Sequence, residues 1–553
     1  MNNRLYSCLI ALLLTFAGAT DGHAIPAWPG WMTMTQPDGS TVRIRIMGDE
    51  HCHWIINSDS VEVEERDGFY VPATTKHTAK RRAAYSPALR TPIGGFSDGF
   101  TGKRRALIIL AEFKDKFFHS GEPDTQGYFS RMANEEGFSD NGAAGSVRDF
   151  FLQQSYGQFD LTFDVVGPVR LSGGVNYYGG GNRTEIGYAG RMVAEACRAV
   201  DAQYPDIDFS NYDWDGDGYV EQVFIIYAGY GQATGGGENT IWPHRALLSD
   251  IAKGDRTYNY NVTLDGVRVD QYACSNEYWG NYGRQPMGLG TICHEFSHCL
   301  GLPDIYDVDY DSSYDMGSWD VMASGCYNGG SWVPAGFNAV EKMLVGWLKP
   351  TELWGESLHV DSMRPLTRAG DAYIVYNPTD RNEFFTVESR KQEGFDASLP
   401  SSGMLALHVY HDINRWAKNR VNTTREGSQT FVTLPADGIR SAATEATDTY
   451  PNGDMDSLTY LGKLTHPLAD GSTSLRHRFL HIAKDSTGNI SFDYVPSQRT
   501  LTAITTLRNG ESHNPEAIYN LSGQKVGTMV TATDKPALPR GIYIWNGKTI
   551  RWE

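Results

Sequence analysis

Two histidines and a glutamate stand at a spacing that can bind and use a metal ion. His294 and His298 are four residues apart, so on a helix their imidazoles lie on one face and can reach a single ion. Glu295 follows the first histidine, where its carboxylate can accept a proton from a water molecule that zinc polarises. This spacing favours zinc-dependent hydrolysis with Glu295 as the general base.

The residues after this motif predict a third zinc ligand. Gly301 can adopt the left-handed conformation that ends a helix, and Pro303 prevents the helix from resuming. The chain then turns back, and Asp304 can complete a set of three ligands, which leaves the fourth zinc position open as in catalytic sites. A glutamate from a later helix is the alternative, and Glu341 is placed for it. We favour Asp304, because the turn at Gly301 has no other evident purpose.

Downstream residues predict the floor of the site and an oxyanion donor. The stretch 318–325 around Met322 is typical of the Met-turn beneath the zinc of metzincin peptidases, where a thioether provides a soft apolar surface. Hydrolysis also needs a donor that stabilises the oxyanion of the tetrahedral intermediate. Tyr327, five residues after Met322, is the first candidate and His244 the second.

An acidic loop predicts a second metal site. Its residues follow the first nine positions of an EF-hand calcium loop, in which oxygen ligands at alternating positions converge on one ion. Position twelve is Phe224 instead of the usual glutamate, so the pattern indicates a calcium loop without the complete hand. A solvated acidic turn is the alternative. The predicted calcium ligands are Asp213, Asp215, Asp217, Tyr219 and Glu221.

These motifs resemble the M6, or immune-inhibitor-A-like, family of secreted metallopeptidases. The segment HExxHxxGLPD followed by Tyr306-Asp307 is similar to the active-site segment of that family. Weaker similarity extends over residues 100 to 495, including 213–218, 241–245 and 345–348. The resemblance implies a secreted zinc endopeptidase that acts on proteins or peptides, is made as a precursor and is often stabilised by calcium.

Composition limits the remaining classes of function. The 553 residues are enough for three or four domains. The formal net charge of −18 and the lack of a basic patch argue against a nucleic-acid partner. Seven cysteines are too few for a disulfide scaffold of this size, and their pairing stays open.

The N-terminal part predicts an export signal and a pro-domain. Residues 1–24 contain a basic residue, a short apolar run and small residues, as secretory signal peptides do. Residues 25–103 read as a pro-domain with short alternating strands and a basic, proline-rich activation linker. Cys52 or a neighbouring histidine could occupy the open zinc position in the precursor, although a cysteine of the domain core is the plainer interpretation.

The central part predicts an α+β catalytic domain of metzincin type over residues 104–355. Buried strands are expected at 106–113 and 220–228, and helices at 146–154, 186–202 and 287–300. Because strands and helices alternate, we expect a twisted mixed sheet with the zinc helix packed against it.

The C-terminal part predicts only β structure. Short alternating strands such as 372–376 and 384–388, with no long helical pattern between them, favour a β-sandwich over residues 356–496. Residues 497–553 predict a small β-module that resembles the C-terminal modules of Bacteroidetes secreted proteins. In those proteins such modules can act as type IX secretion signals, so a sorting role and a plain accessory role both stay open.

Two other functions compete with proteolysis. A zinc-activated water can hydrolyse bonds other than peptide bonds, although the extended motif argues against this. The chain could also be an inactive adhesin that uses its β-domains to bind proteins or glycans at a surface. An intact Glu295 argues against the adhesin, because a binding protein has no use for a general base beside zinc.

Overall fold

The computed structural model describes residues 25–50, 53–74, 100–180, 187–309, 314–424 and 427–497, followed by 517–520, 525–528, 541–545 and 548–552. The predicted signal peptide, the activation linker and Cys52 lie outside the described residues. Among the described residues no helix is long and apolar enough to cross a membrane.

A mixed five-stranded sheet, here the catalytic sheet, forms the centre of the molecule. Four of its strands are parallel, and the edge strand His244–Leu247 runs antiparallel to them. In spatial order the strands are His244–Leu247, Gln271–Tyr278, Val223–Tyr230, Gly102–Glu112 and Phe159–Arg170. The predicted strands at 106–113 and 220–228 are confirmed, although the second is interrupted between Val220 and Val223.

Helices cover both faces of the catalytic sheet, which explains the continuous apolar runs of its strands. Ile108 and Phe224 point toward one core, and their neighbours Ile109 and Ile225 toward another. The first core also takes the helices Thr125–Asn134, Val147–Gln154 and Gly290–Ser297, and the second takes Ala189–Gln203. Shorter helices are Val175–Gly179, Leu248–Gly254, Ala339–Leu344 and Ile413–Ala417. A three-stranded sheet pairs Val262–Leu264, Val267–Val269 and Tyr219–Val220.

The N-terminal part forms an antiparallel meander of five strands. They are Met32–Thr35, Thr41–Gly48, His53–Asn57, Glu62–Arg66 and Phe69–Pro72, each paired with the next. Side chains along Thr41–Gly48 alternate between exposed and buried, as the alternating sequence predicted.

Two further sheets follow the catalytic part and share one apolar core. The first contains Thr351–Glu352, Ala372–Tyr376, Glu383–Arg390, Gly403–Tyr410 and Phe431–Thr433, and the second contains Leu358–Met363, Ile490–Val495 and Arg478–Lys484. Val375 and Phe385 of the first sheet lie in the same buried cluster as Phe479 and Phe492 of the second. Sheets packed face to face in this way have the layered form of a β-sandwich.

The described C-terminal strands form a separate four-stranded antiparallel sheet. Its order is Lys525–Thr528, Ala517–Asn520, Gly541–Trp545 and Lys548–Trp552. The segments that connect these strands lie outside the described residues, and the predicted sorting role stays a prediction.

Candidate metal centre and cleft

The metal-binding motif lies on the helix Gly290–Ser297 and on the 3-10 turn His298–Leu300 that continues it. The helix approaches the loop after Met322 very closely at Gly290. A Cβ atom there would lie 2.0 Å from the carbonyl oxygen of Cys326, so only glycine fits. Gly301 ends the turn with φ of +83°, in the left-handed conformation that the sequence predicted.

The two imidazoles are fixed in the tautomer that metal binding requires. Nδ1 of His294 lies 2.7 Å from the carbonyl oxygen of Val321, and Nδ1 of His298 lies 2.7 Å from that of Leu302. A carbonyl oxygen can only accept, so both Nδ1 atoms carry a proton, and Nε2 is the ring nitrogen left to face a metal. Burial lowers the pKa of His298 to about 3, so this ring is neutral and able to bind a metal.

The structure brings the predicted third ligand to the same point. Asp304 Oδ1 lies 3.0 Å from His294 Nε2 and 3.5 Å from His298 Nε2, and all three side chains are buried. One ligand atom from each residue lies within 4.8 Å of the others. A cation between the two Nε2 atoms and the carboxylate would bind all three side chains at once. Two imidazoles and one carboxylate form the ligand set of a catalytic zinc site, so these residues fit zinc.

Glu295 follows His294 on the same helix, and we define the cleft by the three residues Glu295, Trp242 and Tyr327, which all contact residues 25 and 26. Oε1 of Glu295 accepts a hydrogen bond from the backbone N–H of Ile25 at 2.9 Å, across 270 residues of sequence. Its Oε2 is buried and has no hydrogen-bond partner among the described residues. Burial raises the pKa of Glu295 well above its usual value, and the charge of Asp304 acts in the same direction.

Residues 25–28 occupy the cleft through backbone hydrogen bonds. The indole of Trp242 donates to the Ile25 carbonyl at 3.0 Å, and the hydroxyl of Tyr327 donates to the Pro26 carbonyl at 2.7 Å. Further along, the N–H of Trp28 donates to the carbonyl of Ala233 at 2.9 Å. This segment belongs to the predicted pro-domain, so the described contact with Glu295 comes from the beginning of that domain.

The two candidate oxyanion donors lie in different places. The hydroxyl of Tyr327 faces the cleft and already donates to a peptide carbonyl, that of Pro26. His244 instead lies on the opposite face of the catalytic sheet, where its ring contacts the Tyr272 hydroxyl and the thiol of Cys274. The geometry therefore favours Tyr327.

The alternative zinc ligand Glu341 lies away from the metal group. Its carboxylate accepts from the N–H of Asn338, as part of a capping box at the start of the helix Ala339–Leu344. Burial raises the pKa of Glu341 well above its usual value. The nearby carboxyl of Asp320, in the predicted Met-turn, raises it further. Met322 itself is fully buried, and its carbonyl accepts from the N–H of Ile305 at 2.9 Å.

Asn419 holds the third ligand, a role that the sequence did not predict. Its Oδ1 accepts from the Asp304 N–H at 2.7 Å, and its Nδ2 donates to Asp304 Oδ2. The neighbouring Asn422 donates to the carbonyl of Ile305. Asn419 has φ of +51°, which asparagine tolerates better than most residues. An asparagine in a loop, 115 residues from its partner, carries no sequence signal that links it to the metal.

The acidic loop brings three of its predicted ligands together. Carboxylate oxygens of Asp213, Asp215 and Glu221 lie within 4.8 Å of one another. Asp217 turns its carboxylate back to the N–H of Tyr219 at 2.9 Å. Burial, followed by the charge of Asp215, raises the pKa of Glu221 to about 8, so the cluster resists full ionisation without a cation.

The five described cysteines, Cys197, Cys274, Cys293, Cys299 and Cys326, are all free thiols. Four of them are buried, and Cys299 is partly exposed. Burial raises the pKa of Cys293 and Cys326 well above the usual value, so these two thiols beside the active-site helix stay protonated.

The part of the chain that carries these residues is similar to known proteins. Residues 97–347 match the family model for the catalytic domain of immune inhibitor A peptidase M6. Immune inhibitor A of Bacillus thuringiensis subsp. alesti is 26% identical over 312 residues, which cover 46% of this chain and 43% of the relative. The pre-pro-metalloprotease PrtV of Vibrio cholerae serotype O1 is 29% identical over 241 residues, or 38% of this chain and 25% of the relative. The chain thus spans less than half the length of either relative.

Replacing Asn419 by glycine tests whether its side chain holds the metal ligand. Glycine adopts the positive φ without strain, so the variant removes the two hydrogen bonds to Asp304 without straining the backbone. Zinc affinity is expected to fall about 10- to 100-fold, measured by competition with a chromophoric chelator.

His481→Gly is the matched control for this substitution. His481 has the same φ of +51° but an exposed side chain far along the chain from the metal ligands. If both variants bound zinc as tightly as the parent protein, Asn419 would have no role in the metal centre.

Proposed function

We propose that the protein is a secreted zinc endopeptidase. The premise is that the chain belongs, through residues 97–347, to the immune inhibitor A peptidase M6 family. The substrates of the enzyme are extracellular proteins or peptides. His294, His298 and Asp304 hold the zinc in a metzincin-like arrangement above Met322. The observation that carries the proposal is the convergence of two imidazole Nε2 atoms and one carboxylate beside a fourth group, Glu295, which is not part of that cluster.

The residues of the cleft divide the chemistry between them. Bound to the three ligands, zinc would polarise the scissile carbonyl and acidify water. Glu295 accepts the proton of the attacking water and delivers it to the leaving amine. Tyr327 donates its hydroxyl to a backbone carbonyl and so positions the peptide and supports the developing oxyanion. No covalent intermediate with the protein is required.

Glu295→Gln separates metal binding from catalysis. Glutamine preserves the shape of the side chain but cannot accept the proton, so we expect full zinc content and a loss of casein hydrolysis of about 100-fold or more. Activity and zinc content are measured on the processed protein. Glu393→Gln, a change on the C-terminal part of the chain, controls for the loss of a carboxylate. Zinc-loaded parent protein that cleaves no protein substrate would favour the adhesin.

We further propose that the protein is made as a latent precursor. Residues 25–28 fill the cleft and engage the general base, so they exclude substrate until the pro-domain is removed. We expect cleavage in the predicted linker to remove the pro-domain and the predicted signal peptide to direct export. Both segments lie outside the described residues.

Trp28→Ala is expected to weaken latency without changing the mature enzyme. The indole of Trp28 packs edge-to-face on Trp279 with 5.3 Å between ring centroids, and its loss removes buried aromatic area. The precursor should therefore cleave casein several-fold faster than the parent precursor. After processing the two proteins have the same sequence and should have equal activity.

Trp31→Ala is the control for latency. Trp31 lies three residues further along, is more than one-third exposed, and stacks with Arg43 of its own sheet. Its precursor should keep the parent activity. A Trp28→Ala precursor as inactive as the parent would show that these cleft contacts do not cause latency.

We also propose that the loop of Asp213, Asp215 and Glu221 binds a structural calcium ion, with Asp217 and the carbonyl of Tyr219 as further predicted ligands. The support is the clustering of carboxylates ahead of the strand Val223–Tyr230 of the catalytic sheet. The ion would fix this loop and would take no part in the reaction.

The raised pKa of Glu221 predicts how calcium affects stability. In the folded protein without calcium this carboxyl keeps its proton to about pH 8, whereas in the unfolded chain it loses the proton near pH 4.3. The folded state therefore binds more protons over this range, and stability falls as pH rises from about 4.5 to 8. A calcium concentration of 100 times the Kd measured at pH 8 should raise Tm by about 5 °C at pH 8. The same concentration should raise Tm by much less at pH 5, where the protonated Glu221 weakens binding. Glu221→Gln should abolish the difference, and equal shifts at both pH values would contradict the calcium site.

A further inference from the structure

Ile25 lies where the leaving residue of a hydrolysed peptide would lie. During hydrolysis the residue after the broken bond departs as an amine, and the group that protonates this amine must be within hydrogen-bond distance. The backbone nitrogen of Ile25 is 2.9 Å from Oε1 of Glu295, the proposed proton donor. Residues 25–28 thus follow the path of a substrate on the side that leads away from the cleaved bond.

The backbone contacts beyond this nitrogen agree with that direction. Trp242 donates to the carbonyl of Ile25 from the segment before the edge strand His244–Leu247, and Tyr327 donates to the carbonyl of Pro26 from the loop after the Met-turn. These donors bind backbone atoms only. They would bind a peptide of any sequence, so selectivity must come from the side chains.

The side chain of Ile25 is fully buried. Its exposed fraction is 0%, and it joins the apolar cluster that also contains Trp242, Met322 and Tyr327. Further along the segment, the indole of Trp28 packs edge-to-face on Trp279. Trp279 packs in the same way on Tyr327. The wall of the cleft is therefore apolar on this side of the general base.

We propose that the enzyme prefers peptide bonds followed by a branched aliphatic residue, with the pocket of Ile25 as the specificity site. This inference rests on the proposed peptidase function. An aliphatic side chain gains free energy when it leaves water for this pocket. A charged side chain would lose its hydration there without a partner, and glycine would leave the pocket unfilled.

The reaction at such a bond balances without a further reactant. The oxygen of water bonds to the carbonyl carbon of the residue before the aliphatic one, and the C–N bond breaks with its electron pair kept by nitrogen. The proton that Glu295 takes from water goes to that nitrogen. The products are a new carboxylate and a new N-terminal amine on the aliphatic residue.

Digestion of casein, a protein of mixed sequence, tests the preference at many different bonds at once. The processed, zinc-loaded protein is incubated with casein, and the new N-termini are identified by mass spectrometry. One cleaved casein sequence is then made as quenched peptides that differ only in the residue after the cleaved bond. Isoleucine, valine and leucine should give kcat/KM at least about 10-fold higher than glycine, aspartate or lysine.

The precursor supplies an independent measurement of the same pocket. Ile25→Val keeps a branched aliphatic side chain, so this precursor should stay latent. Ile25→Asp places a charge in the apolar pocket, so its casein activity before processing should rise several-fold. Both variants release the same mature enzyme, and neither substitution alters it.

Failure of the specificity site and failure of the peptidase function give different results. Casein cleavage with no aliphatic enrichment at the new N-termini, or an Ile25→Asp precursor as latent as Ile25→Val, overturns the specificity site and leaves the peptidase function standing. A zinc-loaded processed protein that cleaves no casein overturns the peptidase function itself.

Discussion

The three side chains of the proposed metal site meet out of contact with solvent, and much of the surrounding structure serves to hold them there. His294, His298 and Asp304 have essentially no exposed area, so none can exchange its partner for water. Each is therefore anchored by a second contact, to Val321, to Leu302 and to Asn419. Such contacts fix both the tautomer and the direction of a ligand, and with it the affinity for the metal.

These anchors come from distant parts of the chain, so the metal centre belongs to more than the matched family domain. Asn419 lies after residue 347, among the strands of the two C-terminal sheets. Arg390, on the strand Glu383–Arg390, is fully buried and donates to Asp396 and to the carbonyl of Trp319 beside the Met-turn. Asp320 of the same turn accepts from the N–H of Met322. A buried guanidinium is stable only when paired, so this network ties the C-terminal sheets to the floor of the site.

What the sequence could predict depended on how far apart the interacting residues are. The ligands, the general base and the glycine turn fall within eleven residues, and helical geometry alone relates them. The strands of the catalytic sheet were evident from their apolar runs, because both faces are covered. Asn419 and Ile25 contact the site across 115 and 270 residues, and neither residue type is diagnostic. A latency hypothesis drawn from residue types points to Cys52, which has metal chemistry and lies outside the described residues, whereas the described contact comes from the backbone of Ile25.

The contact between Ile25 and Glu295 also explains why one buried carboxylate can serve two states of the protein. In the proposed precursor its Oε1 accepts an N–H from the chain itself, and in the proposed mature enzyme it would meet the nitrogen of a substrate. Four backbone hydrogen bonds, at a net of about 1 kcal/mol each, would hold a free peptide only weakly. A tether raises the effective concentration of such a segment to the millimolar range, so the same contacts suffice while the chain is intact. Cleavage in the predicted linker would remove this advantage, and the segment would then compete with protein substrates for the cleft.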